Sequence, residues 1–264
     1  MNATKSAPGP NIELYATDGT RLSGRYRPAE HRRLGYVIAH GFTGSSATPD
    51  IERIAQRLSG RGAGVLAMDF RGHGRSGGET SIGVTEVLDV AAAVAYLRAQ
   101  SYEQVCTAGW SMGASVVLRH AALNAGVDAV ISVSGPGLWY ERSTRPMRIL
   151  HLGAETAPGR RIVARVLRTR IALDSWQDLP ESPVELAHLV VPTPLLIVHG
   201  DRDPYFPLKH ARALHAAAAG STLWVEPGMG HAESATSAEL VDRLDAWTRR
   251  VLAPALQPAE FLRR

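Results

Sequence analysis

The 264 residues are 45% hydrophobic and 20% charged, the balance of an ordinary globular protein, which excludes disorder or a collagen-like repeat as the main organisation. One α/β domain reaches this length, whereas two separate cores would each be small and joined by a linker, so one elaborated domain is expected. The formal charge is +4, and because only Lys5 and Lys209 are lysines, 27 of the 29 basic residues are arginine. With no helix-turn-helix, zinc-finger or aromatic RNA-binding pattern beside it, that excess points to compositional bias rather than a nucleic-acid partner.

A single cysteine, Cys106, rules out an internal disulfide and a cysteine-rich metal site; in the apolar run Val105 to Ala108 it is expected to be a small buried hydrophobe. Met1 to Pro10 lacks the apolar stretch of a secretory signal, and eighteen consecutive apolar residues occur nowhere. A soluble, cytoplasmic protein is therefore expected.

Along the chain, Asn11–Thr17 and Arg21–Pro28 flank Asp18-Gly19-Thr20, a hairpin signal. Short apolar runs follow at Tyr36–Ala39, Val65–Met68, Val105–Ala108, Val127–Val133, Leu195–Val198 and Leu223–Val225. Between most of them apolar residues fall at helical spacing, as in Ile51, Ile54, Ala55, Leu58 and in Val84, Val87, Leu88, Ala91, Val94, Ala95. Strands buried on both faces read this way, so a mainly parallel sheet covered by helices is predicted, with ligand sites at the carboxyl ends of the strands. Gly135–Val191 breaks the alternation with a long, proline-containing connection, expected to be a helical cap over the sheet. The predicted division is a core of residues 11–134 and 192–252, a cap insertion at 135–191, and terminal tails at 1–10 and 253–264.

Gly109-Trp110-Ser111-Met112-Gly113 lies between a predicted strand and the helical run Ala114–Asn124, so the G-x-S-x-G pattern occurs in the strand-turn-helix setting that gives it meaning. The serine must sit on a strained turn, small neighbours must let strand and helix approach, and the helix N-terminus directs N–H groups at developing negative charge. Serine needs a base, itself oriented by a carboxylate. Among the later histidines, His231 in Gly228-Met229-Gly230-His231 follows the last predicted strand and precedes the last helix. The acid is expected between serine and histidine, where His199-Gly200-Asp201-Arg202-Asp203-Pro204 supplies two aspartates after a strand.

Over nearly the whole chain outside the cap and termini, these residues resemble the α/β-hydrolase superfamily, in particular its monoacylglycerol-lipase-like and serine-aminopeptidase-like branch. The resemblance implies an α/β-hydrolase fold. Its H-G-x-x-D-x-x-x-P strand end matches His199, Gly200, Asp203 and Pro207, which makes Asp203 the acid and leaves Asp201 as an N–H acceptor or surface pair. His40-Gly41-Phe42-Thr43-Gly44 resembles the family's oxyanion loop, which implies the backbone N–H groups of Phe42 and Met112 as donors, with His40 holding the loop. Asp69-Phe70-Arg71-Gly72-His73-Gly74-Arg75-Ser76 matches D-x-R-G-x-G-x-S. Its glycines indicate a folded loop in which Asp69 and Arg71 satisfy buried backbone groups, rather than a second triad.

The site expected is thus Ser111, Asp203 and His231 with Phe42 and Met112, and the function hydrolysis of a carboxylic ester or thioester through an acyl-enzyme. A non-hydrolytic enzyme of the same fold (cyclisation, acyl transfer or C–C cleavage) and a ligand-binding member with an idle site are the alternatives. No dinucleotide or phosphate-loop fingerprint and no metal-ligand cluster is present, so neither cofactor nor metal is called for. Within Gly135–Ile171, Arg142, Arg145, Arg148, Arg160, Arg161, Arg165, Arg168 and Arg170 face only Glu141 and Glu155. In Arg161–Arg170 a helix would set Ile162, Val163, Val166 and Leu167 on one face and Arg161, Arg165 and Arg168 on another. That basic face is read first as solvated surface, and otherwise as attraction for a small acyl substrate with an anionic portion or for a membrane surface.

Overall fold

Asp18 and Gly19, with Gly19 at φ 81°, turn the chain between β1 (Asn11–Tyr15) and β2 (Arg21–Arg27), which pair antiparallel from Asn11 opposite Arg25 to Tyr15 opposite Arg21. The computed structural model describes residues 8–172 and 180–253. The expected tails therefore lie almost wholly outside the described residues, as does 173–179 of the expected cap. Each apolar run forms a strand: β3 (Leu34–Ala39), β4 (Gly64–Asp69), β5 (Gln104–Trp110), β6 (Ala129–Val133), β7 (Leu195–Gly200) and β8 (Thr222–Glu226). The helices between them are α1 (Pro49–Ser59), α2 (Val87–Ala99), α3 (Met112–Leu123), α4 (Arg145–Glu155), α5 (Ala157–Val166), α6 (Pro183–Leu186), α7 (Lys209–Ala217), α8 (Ala232–Ala235) and α9 (Ala238–Val251).

The eight strands form one sheet in the order β1-β2-β4-β3-β5-β6-β7-β8, parallel from β4 to β8, as the fold prediction requires. Alternation along β3 divides the core. Val37 packs on one face with Leu66, Met68, Val94 and Val117, while Tyr36 and Ile38 pack on the other with Ile54, Trp110, Leu240 and Trp247. Burying a side chain of this size contributes about 1.5–3 kcal/mol, so both helical layers are held by the strands' doubly buried sequence. After β3 the chain winds to one side as β4, then returns past β3 to β5. That reversal opens a crevice at the carboxyl ends of β3 and β5, where ligands bind in sheets of this kind.

Two expectations about helices need correction. Val84 lies outside α2, because the carboxylate of Glu86 accepts the N–H groups of Ser81 and Gly83 at 2.9 and 2.8 Å and the Thr80 hydroxyl at 2.5 Å, which folds this stretch into a loop. The helix expected over Arg161–Arg170 ends at Val166; Arg168 adopts φ 52°, and Arg170 exchanges backbone hydrogen bonds with Gly72 and Thr80 at 2.9 and 2.8 Å. Nor is its apolar face a buried one: Val163 packs inside, but Ile162 and Val166 are 61% and 71% exposed.

Candidate active site

Ser111 occupies the turn between β5 and α3 at φ 52° and ψ −119°, a conformation costly for a residue with a side chain. Glycine is required on both sides. A Cβ on Gly109 would collide with the Gly113 carbonyl, and one on Gly113 with the carbonyls of Ala39 and His40. The Ser111 N–H donates to the Val133 carbonyl at 2.9 Å, which ties the turn to β6.

The structure brings Ser111, His231 and Asp203 together from three strand ends. His231 Nε2 lies 2.9 Å from Ser111 Oγ, and His231 Nδ1 lies 2.7 Å from Asp203 Oδ2. Asp203 Oδ1 accepts the N–H groups of Tyr205 and Phe206 at 2.8 and 3.1 Å. Burial pushes the Asp203 carboxyl up, but the His231 hydrogen bond and charge, with those two amides, hold it below the ordinary carboxylate range. An ionised Asp203 only accepts, so Nδ1 carries the imidazole proton and Nε2 is left as acceptor for the Ser111 hydroxyl.

Asp201 stands elsewhere: it is exposed and accepts the Gly228 N–H at 2.7 Å. Met112 is the first residue of α3, where an N–H has no intrahelical acceptor, and Phe42 follows Gly41 at the end of β3; both border the cavity that contains Ser111. His40 is fully buried and braces this loop, with Nδ1–H donating to the Gly41 carbonyl at 2.7 Å and Nε2 accepting the Phe70 N–H at 3.2 Å. Burial, and then His73, push its pKa down to about 3, so it is neutral.

The D-x-R-G-x-G-x-S segment is a folded loop. Asp69 accepts the N–H groups of Ser46 and Arg75 at 2.6 and 2.9 Å, and Ser76 Oγ donates to the Asp69 carbonyl at 2.6 Å. Arg71 differs from expectation. Its guanidinium pairs with the carboxylates of Asp89 and Asp18, both at 2.7 Å, because a nearly buried guanidinium is better satisfied by charge than by carbonyls.

Several neighbours of the site had no role legible in the sequence, although His199 belongs to the matched strand-end motif. The Tyr205 and Phe206 rings flank His231 at centroid distances of 4.4 and 5.6 Å. His199 Nε2–H donates to the Phe206 carbonyl at 2.8 Å and secures the loop that carries Asp203. Glu233, two residues beyond His231, accepts the Gly41 N–H at 2.5 Å and so links the histidine loop to the β3 loop; burial pushes its carboxyl up. The G-x-G-H spacing located His231, but a glutamate bound to a backbone amide from another strand end leaves no pattern in the sequence.

Helices α4 and α5 border the site. Of the arginines in this region, Arg142 pairs with Glu155 at 2.6 Å, Arg148 donates to the Arg142 and Ser143 carbonyls, Arg160 to those of Ala154 and Glu155, and Arg170 to those of Ser76 and Gly78. Part of the local basic excess thus serves backbone carbonyls. Among the described residues no group of three or more His, Cys, Asp or Glu is placed to hold a metal ion, and no helix is long and apolar enough to cross a membrane.

Comparison with known proteins agrees with this architecture. A monoacylglycerol lipase of Mycolicibacterium smegmatis is 25% identical over 232 residues, covering 74% of this chain and 80% of that protein. Human serine hydrolase BPHL is 28% identical over 242 residues, covering 82% and 78%. Among solved structures, the Pyrococcus furiosus esterase Pf2001 superposes with a TM-score of 0.69 at 23% identity over 91% of this chain and 92% of that one, a likeness of fold. The TAP-like protein family model matches residues 166–249, and the serine aminopeptidase S33 model matches residues 30–188. The chain belongs to the serine aminopeptidase S33 family, on the α/β-hydrolase fold.

Proposed function

We propose that this protein hydrolyses a carboxylic ester or thioester through an acyl-enzyme on Ser111. The observation that carries the reading is the run of hydrogen bonds from Asp203 through His231 to Ser111 Oγ, at 2.7 and 2.9 Å, on a strained turn that opens a helix. Relatives named as a lipase and a serine hydrolase support the same class.

In this reading His231 Nε2 takes the hydroxyl proton as Oγ attacks the carbonyl carbon. The oxyanion is received by the N–H groups of Phe42 and Met112; one such donor is worth about 3 kcal/mol. The imidazolium then gives the proton to the leaving oxygen or sulfur, and the acyl group stays on Ser111. Water enters, His231 removes its proton, and the second tetrahedral species collapses to release the acid and restore the serine. Asp203 fixes the tautomer and stabilises the imidazolium without being protonated.

The insertion at 135–191 acts as a cap. It is tied to the core on either side of α4 and α5: Glu141 accepts from His210 Nε2–H at 2.7 Å and pairs with Lys209 at 2.9 Å, while Ile171 bridges to Thr80. Such anchoring keeps α4 and α5 beside Ser111 and leaves their outer faces free.

The test is labelling with an alkyl fluorophosphonate alongside turnover of short-chain aryl esters. The expected result is stoichiometric labelling, lost in Ser111→Ala with an unchanged far-UV spectrum. A folded protein that is neither labelled nor active would exclude the hydrolase reading.

A further inference from the structure

Two spaces meet at Ser111, and they differ in what else they border. The smaller, about 220 Å³, borders Phe42 and Met112 but not His231. The larger, about 860 Å³, borders His231 but not Met112. In the acyl-enzyme reading, on which this inference rests, the tetrahedral carbon carries Ser111 Oγ, the oxyanion, the leaving oxygen and the acyl chain. With the oxyanion on the amides of Phe42 and Met112, His231 Nε2 must reach the leaving oxygen to protonate it. The leaving alcohol therefore extends along the larger space, and the smaller one is left to the acyl chain.

The walls set opposite limits on the two groups. The smaller space is a chamber whose border includes the buried side chains of Met112, Trp139 and Ala154. Trp139 is fixed in place: its Nε1–H donates to the Glu181 carbonyl at 3.0 Å, the Arg119 guanidinium lies over its ring, and the ring packs so closely on Gly83 that a Cβ there would overlap it. Pockets that enclose drug-sized ligands begin at about 300 Å³, so this chamber suits an acyl chain of a few carbons. The larger space is a mainly apolar groove, and Ile149, Leu152 and Ile162 in its wall are all exposed. A wall that runs out to the surface sets no such limit on length. A hydrocarbon chain laid along it takes apolar surface out of water on both sides of the contact.

We propose that the substrate is an ester of a short-chain acid with a long apolar alcohol: the chamber selects acyl length, and the groove binds the hydrocarbon of the alcohol. Ser111 Oγ bonds to the acyl carbon as the bond to the alcohol oxygen breaks, and the proton taken by His231 leaves with the alcohol. Water then attacks the acyl carbon, the bond to Ser111 breaks, and His231 passes the proton of water to the serine oxygen. The short acid is released from the chamber.

The experiment compares kcat/KM of the full chain for two isomers, octyl butanoate and butyl octanoate, below their solubility limits. They contain the same atoms and differ only in which side of the ester carries the long chain. Octyl butanoate is expected to be the better substrate by about tenfold or more. Ala154→Leu, which narrows the chamber, should lower kcat/KM for octyl butanoate relative to octyl acetate by about threefold or more. Should that variant fail to fold, the octyl esters of acetic, butanoic, hexanoic and octanoic acid give the same reading in the parent, through a fall beyond a few acyl carbons. Ile162→Ser, at an exposed position of the groove, should lower the ratio of octyl to ethyl butanoate. Equal values for the two isomers, or a preference for butyl octanoate, would overturn the assignment. So would an Ala154→Leu variant that alters alcohol preference instead of acyl preference, or a folded protein labelled at Ser111 that turns over neither isomer. Absence of labelling together with absence of activity on every ester would instead overturn the hydrolase reading beneath it.

Discussion

Asp203 divides its two oxygens between two tasks: Oδ2 meets His231 Nδ1 at 2.7 Å, and Oδ1 binds the amides of its own loop at Tyr205 and Phe206. The same carboxylate therefore orients the imidazole and fixes the loop that presents it. Asp203→Asn should lower kcat by orders of magnitude by favouring the wrong imidazole tautomer, and should also cost some stability. Asp201→Asn, which disturbs only the Gly228 contact, should leave kcat within about threefold. Steady-state kinetics beside a thermal melt would check this, and the reverse ranking would reassign the acid.

Gly113 lies against the carbonyls of Ala39 and His40, where α3 meets the end of β3. Gly113→Ala must push the helix away from the sheet, and a loss of about 1–3 kcal/mol is expected for such overpacking. Urea denaturation gives the value; a variant as stable as the parent would show that the elbow has slack.

His40 makes stability depend on pH. In the unfolded chain it binds a proton near pH 6.5, whereas in the folded protein its pKa is about 3. Between those values the unfolded state holds the extra proton, so stability falls with acidification by up to about 1.4 kcal/mol per pH unit from this group. His40→Asn should be less stable than the parent at pH 7, through lost loop hydrogen bonds, but should lose less on going from pH 7 to 4. Parallel stability curves for the two proteins would contradict this.

Arg161 and Arg165 are exposed on α5. Charges screened over a Debye length of about 10 Å at 0.1 M salt attract weakly, so Arg161→Glu/Arg165→Glu should change kcat/KM for an anionic ester by less than about threefold, and less still at high salt. A large loss confined to anionic esters would instead place recognition of the anionic part on the outer face of the cap.

The order of elements was legible because burial on both faces forces unbroken apolar runs, and Ser111 and His231 because strained turns need glycines at fixed offsets. Asp203 was separated from Asp201 by resemblance, which the contrast between a buried and an exposed carboxylate now accompanies. Sequence could not give the role of Arg71, whose partners Asp18 and Asp89 come from distant segments, nor that of Glu233. Helical periodicity in Arg161–Arg170 misled, since apolar spacing is the same whether a face is buried or, as at Ile162 and Val166, exposed. Likewise an arginine count cannot distinguish a solvated charge from Arg160, whose Nη1 is committed to two carbonyls.

The central claim is that Ser111 carries the acyl group between two half-reactions. The most direct measurement is acid-quenching of the protein during turnover of an activated aryl ester, followed by peptide mass spectrometry. The expected result is a burst of phenol approaching one equivalent and an acyl mass increment on Ser111, with the increment accumulating in His231→Ala if acylation by the activated ester persists. Turnover at the same rate with no burst and no adduct on Ser111, or with undiminished activity in Ser111→Ala, would contradict it.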